Sequence, residues 1–465
     1  MIRDVTIVGG GITGIAAAYR LAHSEPTLKV ALIEASSRLG GKIGTETARG
    51  YAVEFGPDCF LSRKIPGIAL CEELGIAERL IARNPDHKKS FILRNGRLHR
   101  IPEGLTGLIP PNLESIAEST LLSGDAKSRF GREIGIPPEP EGEDESVASF
   151  MIRRFGSETF ENLIEPLAGG IFAGRAEELS LAATFPQLRK LEIEYGSVTR
   201  GLNKMRGADG EVAVDRHPPF VSFAGGMQVL VDSLSDELTG AEIRLGSAAV
   251  RIDRTGEKYS VRFGGSEGED SIESHALLLA TPFPVSAQLT RSIDAGLAEA
   301  LGAIPYASTA LVNLAFDEAM MPPLDGYGYI VPRVEGRDVL ACTWSSRKWE
   351  KRSPAGKVLL RLYIGRFGGI DVSSRSDAEL VTMARTELRE SLGVIDEPLF
   401  TRTTRHQLGI PQYLMGHMRR RSKIESHILT HPGFYIAGAA LDGVGIPDCI
   451  ASAETAVAQI RNYLS

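Results

Sequence analysis

The sequence predicts an α/β fold in which a Rossmann-like dinucleotide-binding domain is assembled from discontinuous parts of the chain. Three observations predict it. A glycine-rich turn, Gly9-Gly10-Gly11-Ile12-Thr13-Gly14, lies between an apolar run at 5–8 and a helical pattern at 15–22. A carboxylate, Glu34, closes the next apolar run at 30–33. A second strand–turn–helix pattern, 433–437 followed by 448–463, sits at the far end of the chain and completes the same kind of unit.

The first strand is short, apolar and rich in β-branched residues, and it runs directly into glycines. The helix that follows presents backbone N–H groups and the positive end of its dipole to a pyrophosphate. A side chain at Gly9 or Gly11 would obstruct the tight turn or the phosphate approach, and Gly14 lets helix and strand pack closely. Glu34, with Ala35 after it, stands at the offset expected for a carboxylate on a ribose hydroxyl. Residues 65–205 read as mostly helical, for example at 68–82 and 147–167. Within them 136–146 (IPPEPEGEDES) is rich in Pro, Gly and acid and reads as an exposed loop. From 220 to 282 the pattern is again αβ, with a helix near 227–238 and strands near 247–252, 259–263 and 276–280. Strand-like runs such as 310–316 and 358–364 follow. At the end, Gly443-Val444-Gly445-Ile446-Pro447-Asp448 reads as a turn opening the last helix, with Pro and an acid in its first turn.

Composition sets limits. The 465 residues are 43% hydrophobic and 24% charged, a length that usually divides into two or three domains. The 52 basic and 59 acidic residues give a net charge of -7, which argues against nucleic acid as a partner. Cys59, Cys71, Cys342 and Cys449 show no CxxC spacing, so a reduced, cytoplasmic setting is expected. The histidines form no visible metal-ligand cluster, and no metal is expected. No apolar run is long enough for a signal peptide or a membrane span. The apolar, Gly- and Pro-rich stretch 101–111 leaves peripheral membrane contact open, although a packed loop is the plainer reading.

Arg38-Leu39-Gly40-Gly41-Lys42 is similar to the RxGG element of the amine oxidase and phytoene desaturase flavoproteins. The resemblance implies FAD rather than NAD, with Arg38, Gly41 and Lys42 on its pyrophosphate and flavin side. The N-terminus of the last helix, at Val444, Gly445 and Ile446, would then face the flavin and stabilise its negative charge on reduction. More specific segments follow: Glu54-Phe55-Gly56-Pro57-Asp58-Cys59-Phe60-Leu61, Gly169-Gly170-Ile171-Phe172-Ala173-Gly174, Phe223-Ala224-Gly225-Gly226-Met227, Ile410-Pro411-Gln412-Tyr413 and the run 438–450. Spread in order along the chain, they resemble the protoporphyrinogen/coproporphyrinogen oxidase family. Gly438-Ala439 departs from the Gly-Asp that many wider relatives place there for the ribitol. No covalent-flavin motif stands out, so noncovalent FAD is expected.

The resemblance implies an amine-oxidase-type FAD domain at 1–85, 206–290 and 403–465, a helical domain at 86–205 and a β-rich substrate domain at 291–402. It implies six-electron oxidation of a porphyrinogen by O2, with H2O2 released. Coproporphyrinogen III is the favoured substrate, with protoporphyrinogen IX, another amine or polyene substrate, or a non-catalytic FAD protein as alternatives. Contact with other heme-pathway enzymes is left open. By similarity, Gly56, Pro57, Asp58, Cys59 and Val250 join the FAD residues, and Asp58 is a candidate proton acceptor. Gly170 and Phe172 would line the substrate channel, with Tyr327, Ile330 and Tyr363 around the macrocycle, although core packing is an equally plain reading of the last three. Arg63, Lys64 and Arg97 are candidate partners of substrate propionates, against a default of surface charge.

Overall fold

Strand Arg3–Val8 runs parallel to Val30–Ile33 on one side and to Gly268–Leu279 on the other, with Val5 level with both Val30 and Ala276. Helices cover both faces here, so Val30–Ile33 is buried throughout and shows no polar alternation. The computed structural model describes residues 2–105, 108–140, 142, 144–208, 217–265 and 268–465. Its first sheet has seven strands, in the order Glu242–Arg244, Val30–Ile33, Arg3–Val8, Gly268–Leu279, Lys258–Gly265 and Ala248–Thr255, with Phe434–Ile436 added alongside Gly268–Leu279. The fold is therefore α/β, with one sheet drawn from three separate stretches of chain. On one face, helix Ile12–Ser24 packs with the C-terminal helix Ile446–Leu464 over Ile15, Leu32, Ile450 and Val457. On the other, Phe283–Thr290 and Ala295–Gly302 close over Tyr259, Val261 and Leu279.

A second seven-stranded sheet runs Phe400–Pro411, Tyr306–Asp317, Lys357–Ile364, Val339–Thr343, Gly328–Ile330, Phe91–Arg94 and Arg97–Arg100. Helix Asp377–Leu392 covers one face through Leu380, Ala384 and Leu388. A capping box of Ser376 and Glu379 fixes its start. Short helices between 114 and 208 form a third layer around Phe130, Phe150, Phe155 and Leu163, with Ser123, Ser146 and Ser180 as N-caps. A three-stranded sheet of Phe60–Leu61, Phe220–Phe223 and Leu80–Ala82 lies beside the first helix pair.

Two expectations change. The helix expected at 68–82 runs Ile65–Glu73 and stops before Gly75, while Leu80–Ala82 is a strand because Phe220–Phe223 offers it a partner. Residues 91–100, expected within the helical part, form a hairpin whose Asn95 and Gly96 both take left-handed backbone, φ 51° and 71°. That is the Asn-Gly turn geometry that suits strand twist. Several elements lie across or beside the expected boundaries at 85, 205, 290 and 402. Residues 91–100 join the second sheet, helix Val198–Ala208 spans 205, helices on both sides of 290 cover the first sheet, and Phe400–Pro411 crosses 402 as one strand. Thr106 and Gly107 of the apolar stretch and Glu141 and Glu143 of the acidic loop lie outside the described residues. Among the described residues no helix is long and apolar enough to cross a membrane.

Candidate active site

The glycine turn is clamped by the acid that closes the second strand. Gly10 N–H donates to Glu34 Oε2 at 2.6 Å and Ser36 N–H to Glu34 Oε1 at 2.8 Å, while Ala35 between them is exposed. A Cβ on Gly9 would come within 2.8 Å of the Ala280 carbonyl oxygen, and one on Gly14 within 1.8 Å of the Gly9 oxygen. Gly11 is different: a Cβ there meets no protein atom within 4 Å, and its backbone is ordinary, φ -70° and ψ 177°. It precedes Ile12 and Thr13, both buried, at a helix start with no side-chain cap. Open space in front of uncapped helix N–H groups fits a pyrophosphate.

The next two loops continue that wall. Gly40 N–H donates to the Gly10 oxygen at 2.8 Å, and a Cβ on Gly41 would lie 3.0 Å from Gly11 Cα. Arg38 donates to the carbonyls of Leu39, Gly41 and Ile43 and lies over the Phe55 ring at 5.3 Å. Here it ties its own loop together. Lys42 Nζ donates to the Gly409 oxygen at 2.6 Å, and burial pushes its ammonium down to about 8. The turn at Gly56 and Pro57 packs on this loop: Phe55 N–H donates to the Gly44 oxygen at 2.8 Å, and a Cβ on Gly56 would lie 2.1 Å from the Lys42 oxygen.

The far end of the chain returns to the same place. A Cβ on Gly438 would stand 3.7 Å from Thr13 Oγ1, and Gly438 N–H donates to Ser452 Oγ at 2.9 Å. Helix Ile446–Leu464 starts after Gly445, whose N–H donates to Asp448 Oδ2 at 3.1 Å. Val444 and Gly445 are half-buried and Ile446 is buried. Lys64 Nζ donates to both Asp448 oxygens, at 2.6 and 2.7 Å. Lys64, expected to await a substrate carboxylate, thus has a carboxylate of its own. Val250 sits where the pairing of Ala248–Thr255 with Lys258–Gly265 slips between Ala249 and Arg251, and is 57% exposed. A bulge of this kind leaves that residue's backbone groups outside the ladder.

Of the channel candidates, Gly170, Ile330 and Tyr363 come together. A Cβ on Gly170 would lie 3.6 Å from Ile330 Cδ1. Register sets Ile330 level with Ala341 and Ala341 level with Tyr363, so the two larger side chains share one sheet face across a small one. Phe172 packs instead into the helical core, with ring centroids 5.9 Å from both Phe185 and Tyr413. Tyr327 is buried and its hydroxyl donates to the Asn84 oxygen at 2.9 Å. Arg63 is exposed; Arg97 is exposed on the outermost strand of the second sheet. Arg83 carries no motif in the sequence. Its guanidinium lies between the rings of Phe220 and Tyr327, at 5.0 and 4.7 Å, with no carboxylate partner among the described residues. Only the pairing of Leu80–Ala82 with Phe220–Phe223 brings it there.

Asp58 lies below the Gly56 turn, buried. Lys348 Nζ donates to both its oxygens at 3.0 and 3.1 Å, Trp349 Nε1 donates at 2.8 Å, and Arg361 stands 3.1 Å away. Burial alone would raise its carboxyl, but Lys348 and Arg361 outweigh that and hold it far below the usual carboxylate range. A carboxylate so held is a weaker base than an ordinary one. Burial pushes the neighbouring Cys59 thiol up to about 12, so it stays protonated.

The family model described as flavin containing amine oxidoreductase matches residues 12–461. The coproporphyrinogen III oxidase of Bacillus subtilis (strain 168) is 32% identical over 99% of this chain and 98% of its own length. That of Staphylococcus aureus is 31% identical over 99% of each. A crystal structure from Exiguobacterium sp. 255-15, of a provisionally named protoporphyrinogen oxidase, is 34% identical with a TM-score of 0.86 over 99% of both chains.

Proposed function

Because this chain belongs to the protoporphyrinogen/coproporphyrinogen oxidase family of FAD-dependent, flavin-containing amine oxidoreductases, we propose that it oxidises coproporphyrinogen III to coproporphyrin III. Three cycles each remove a hydride from a meso carbon and one proton; two of the three protons leave pyrrole nitrogens and the third leaves the remaining meso carbon by tautomerisation, and each cycle reduces one O2 to H2O2. The observation that carries this reading is the full-length match to the two coproporphyrinogen III oxidases. Protoporphyrinogen IX is the second reading, favoured by the Exiguobacterium structure.

FAD, when bound, supplies the hydride acceptor and the route to O2. The chain's own residues bind and orient. Gly9, Gly10, Gly11 and Gly14 open the space for the pyrophosphate, Glu34 and Ala35 border the ribose, and Arg38, Gly41 and Lys42 continue the wall towards Gly56 and Pro57. Val250 offers backbone groups to the adenine, and Val444, Gly445 and Ile446 bring a helix N-terminus to the ring. Gly170, Ile330 and Tyr363 form a face on which a flat macrocycle can lie. Arg83, a cation held by two aromatic rings and without a carboxylate partner among the described residues, is the residue best placed to meet a propionate. The protein need only align the macrocycle and exclude water.

Anaerobic mixing of the purified yellow protein with the two porphyrinogens in parallel tests this reading. Coproporphyrinogen III is expected to bleach the flavin faster, and in air to give three H2O2 per porphyrin. Bleaching by protoporphyrinogen IX alone would establish the second reading instead, and bleaching by neither would end both.

A further inference from the structure

Five charged side chains are packed nearly out of water beneath the Gly56 turn: Glu54, Asp58, Lys348, Arg352 and Arg361. Asp58 takes Lys348, Arg361 and Trp349. Glu54 takes Arg352 at 3.1 Å, Thr45 Oγ1 at 2.7 Å and Met227 N–H at 3.1 Å. Three cations thus face two anions. Burial raises the Glu54 carboxyl, with Arg352 opposing, so any proton Glu54 takes up adds to the positive excess. Among the described residues, the groups of this cluster left without a partner are all donors: Arg352 Nε and Nη1, Arg361 Nε and Asn313 Nδ2. The space that Glu54, Asp58, Asn313, Arg352 and Arg361 enclose does not admit a water-sized sphere.

A cluster serving only to fasten the turn would match its charges, because an unmatched buried cation is costly. This cluster keeps one cation in excess and sets it against the roof. Arg361 Nη1 donates to the Gly56 oxygen at 2.9 Å, and Gly56 packs on Lys42 in the same wall as Gly41 and Gly11. We propose that the buried positive excess of Lys348, Arg352 and Arg361 over Asp58 and Glu54 supports the negative charge that FAD gains on two-electron reduction, and so sets its reduction potential. This rests on the reading above that the Gly56 turn faces the flavin. In a dry site such a charge acts over several ångströms with little screening.

The test is the midpoint potential of bound FAD in holoenzyme variants, read anaerobically against an indicator dye, which needs no porphyrinogen. Lys348→Met brings the net charge to zero and is expected to move the reduction equilibrium about tenfold towards oxidised flavin, roughly 30 mV for a two-electron couple. Asp58→Asn is expected to move it by a similar factor the other way. The double variant and Lys348→Arg should lie near the parent. Arg352→Met and Glu54→Gln, which touch neither Asp58 nor Gly56, should repeat the two signs and serve if the first pair fails to hold FAD. Shifts of the same sign from cation and anion variants, or shifts under threefold throughout, would overturn the proposal. Loss of FAD from every variant would make the cluster an anchor only and overturn it as well. Failure of the parent to be reduced by either porphyrinogen would sink the functional reading while leaving the potentials measurable.

Discussion

Replacing Gly11 by Ala separates folding from cofactor binding, because the two demands on that residue differ. A Cβ at Gly11 meets no protein atom within 4 Å and the backbone is extended, φ -70° and ψ 177°. Reduced freedom of the unfolded chain stabilises such a change by about 0.4–1 kcal/mol. Alanine is a poorer N-cap than glycine, and that loss is of similar size, under ~1 kcal/mol. The apoprotein should therefore keep its stability to within about 1 kcal/mol. On the binding mode proposed above, the same methyl group occupies the space left for the pyrophosphate. Losing one charge-assisted hydrogen bond there costs about 1.5–3 kcal/mol, a roughly 10- to 150-fold weaker Kd. Gly14→Ala is the opposite case: its Cβ would sit 1.8 Å from the Gly9 oxygen, so the strand–helix contact must open and the apoprotein itself should lose about 1–3 kcal/mol or more. Thermal unfolding with and without added FAD, together with flavin absorbance, measures both. Gly11→Ala should melt like the parent apoprotein and gain little from FAD. A Gly11→Ala protein that purifies yellow with full FAD would refute the placement of the pyrophosphate.

Four further outcomes are expected. Glu34→Ala should weaken FAD by about 1.5–3 kcal/mol and, by freeing the Gly10 N–H, lower apoprotein stability as well; unchanged FAD titration would leave Glu34 a structural clamp only. The Lys42 pKa lies below its ordinary value, about 8 against 10.5, so the unfolded chain holds that proton more tightly and apoprotein stability should rise with pH between those values. FAD affinity should fall as pH passes about 8, since an anion favours charged Lys42; Lys42→Met should remove both trends, and an unchanged profile would place the lysine away from the cofactor. Lys64→Ala and Asp448→Asn should change KM alike for both porphyrinogens, because each breaks the same ion pair; a larger loss for the four-propionate substrate in Lys64→Ala alone would return Lys64 to substrate binding. Arg83→Met should raise KM for coproporphyrinogen III about tenfold with kcat little changed, and less for protoporphyrinogen IX; equal kinetics on both substrates would leave Arg83 a packing residue.

The parts of the fold legible in the sequence are those in which a local backbone need dictates residue type. The Gly9–Gly14 turn, the closing Glu34 and the Pro-Asp start of the last helix can each be read in isolation, because close approach and helix ends restrict the residues that fit. Placing residues 91–100 required knowing that Gly328–Ile330 would offer Phe91–Arg94 a parallel edge. The Asn95-Gly96 turn was a readable signal there, and the helical look of the surrounding stretch outweighed it. Val250 is exposed by a slip in register, which depends on a partner strand that the pattern along one strand does not reveal.

Charge was the least legible property, and the reason bears on substrate choice. Arg63-Lys64 reads as an isolated basic pair, yet the carboxylate that neutralises Lys64 is Asp448, 384 positions away. Asp58 reads as a lone acid in a turn, yet Lys348 and Arg361 arrive from 290 and more residues further on. Arg83 carries no sequence mark at all, and the aromatic rings on either side come from Phe220 and Tyr327. Whether a cation is available to a ligand depends on which carboxylates the fold has already brought to it. By that criterion, Lys64 and Lys348 are committed to Asp448 and Asp58, while Arg83 remains unpaired among the described residues. Discrimination between four propionates and two should therefore be sought at Arg83, which links the small sheet at Phe220 to Tyr327 beside the second sheet.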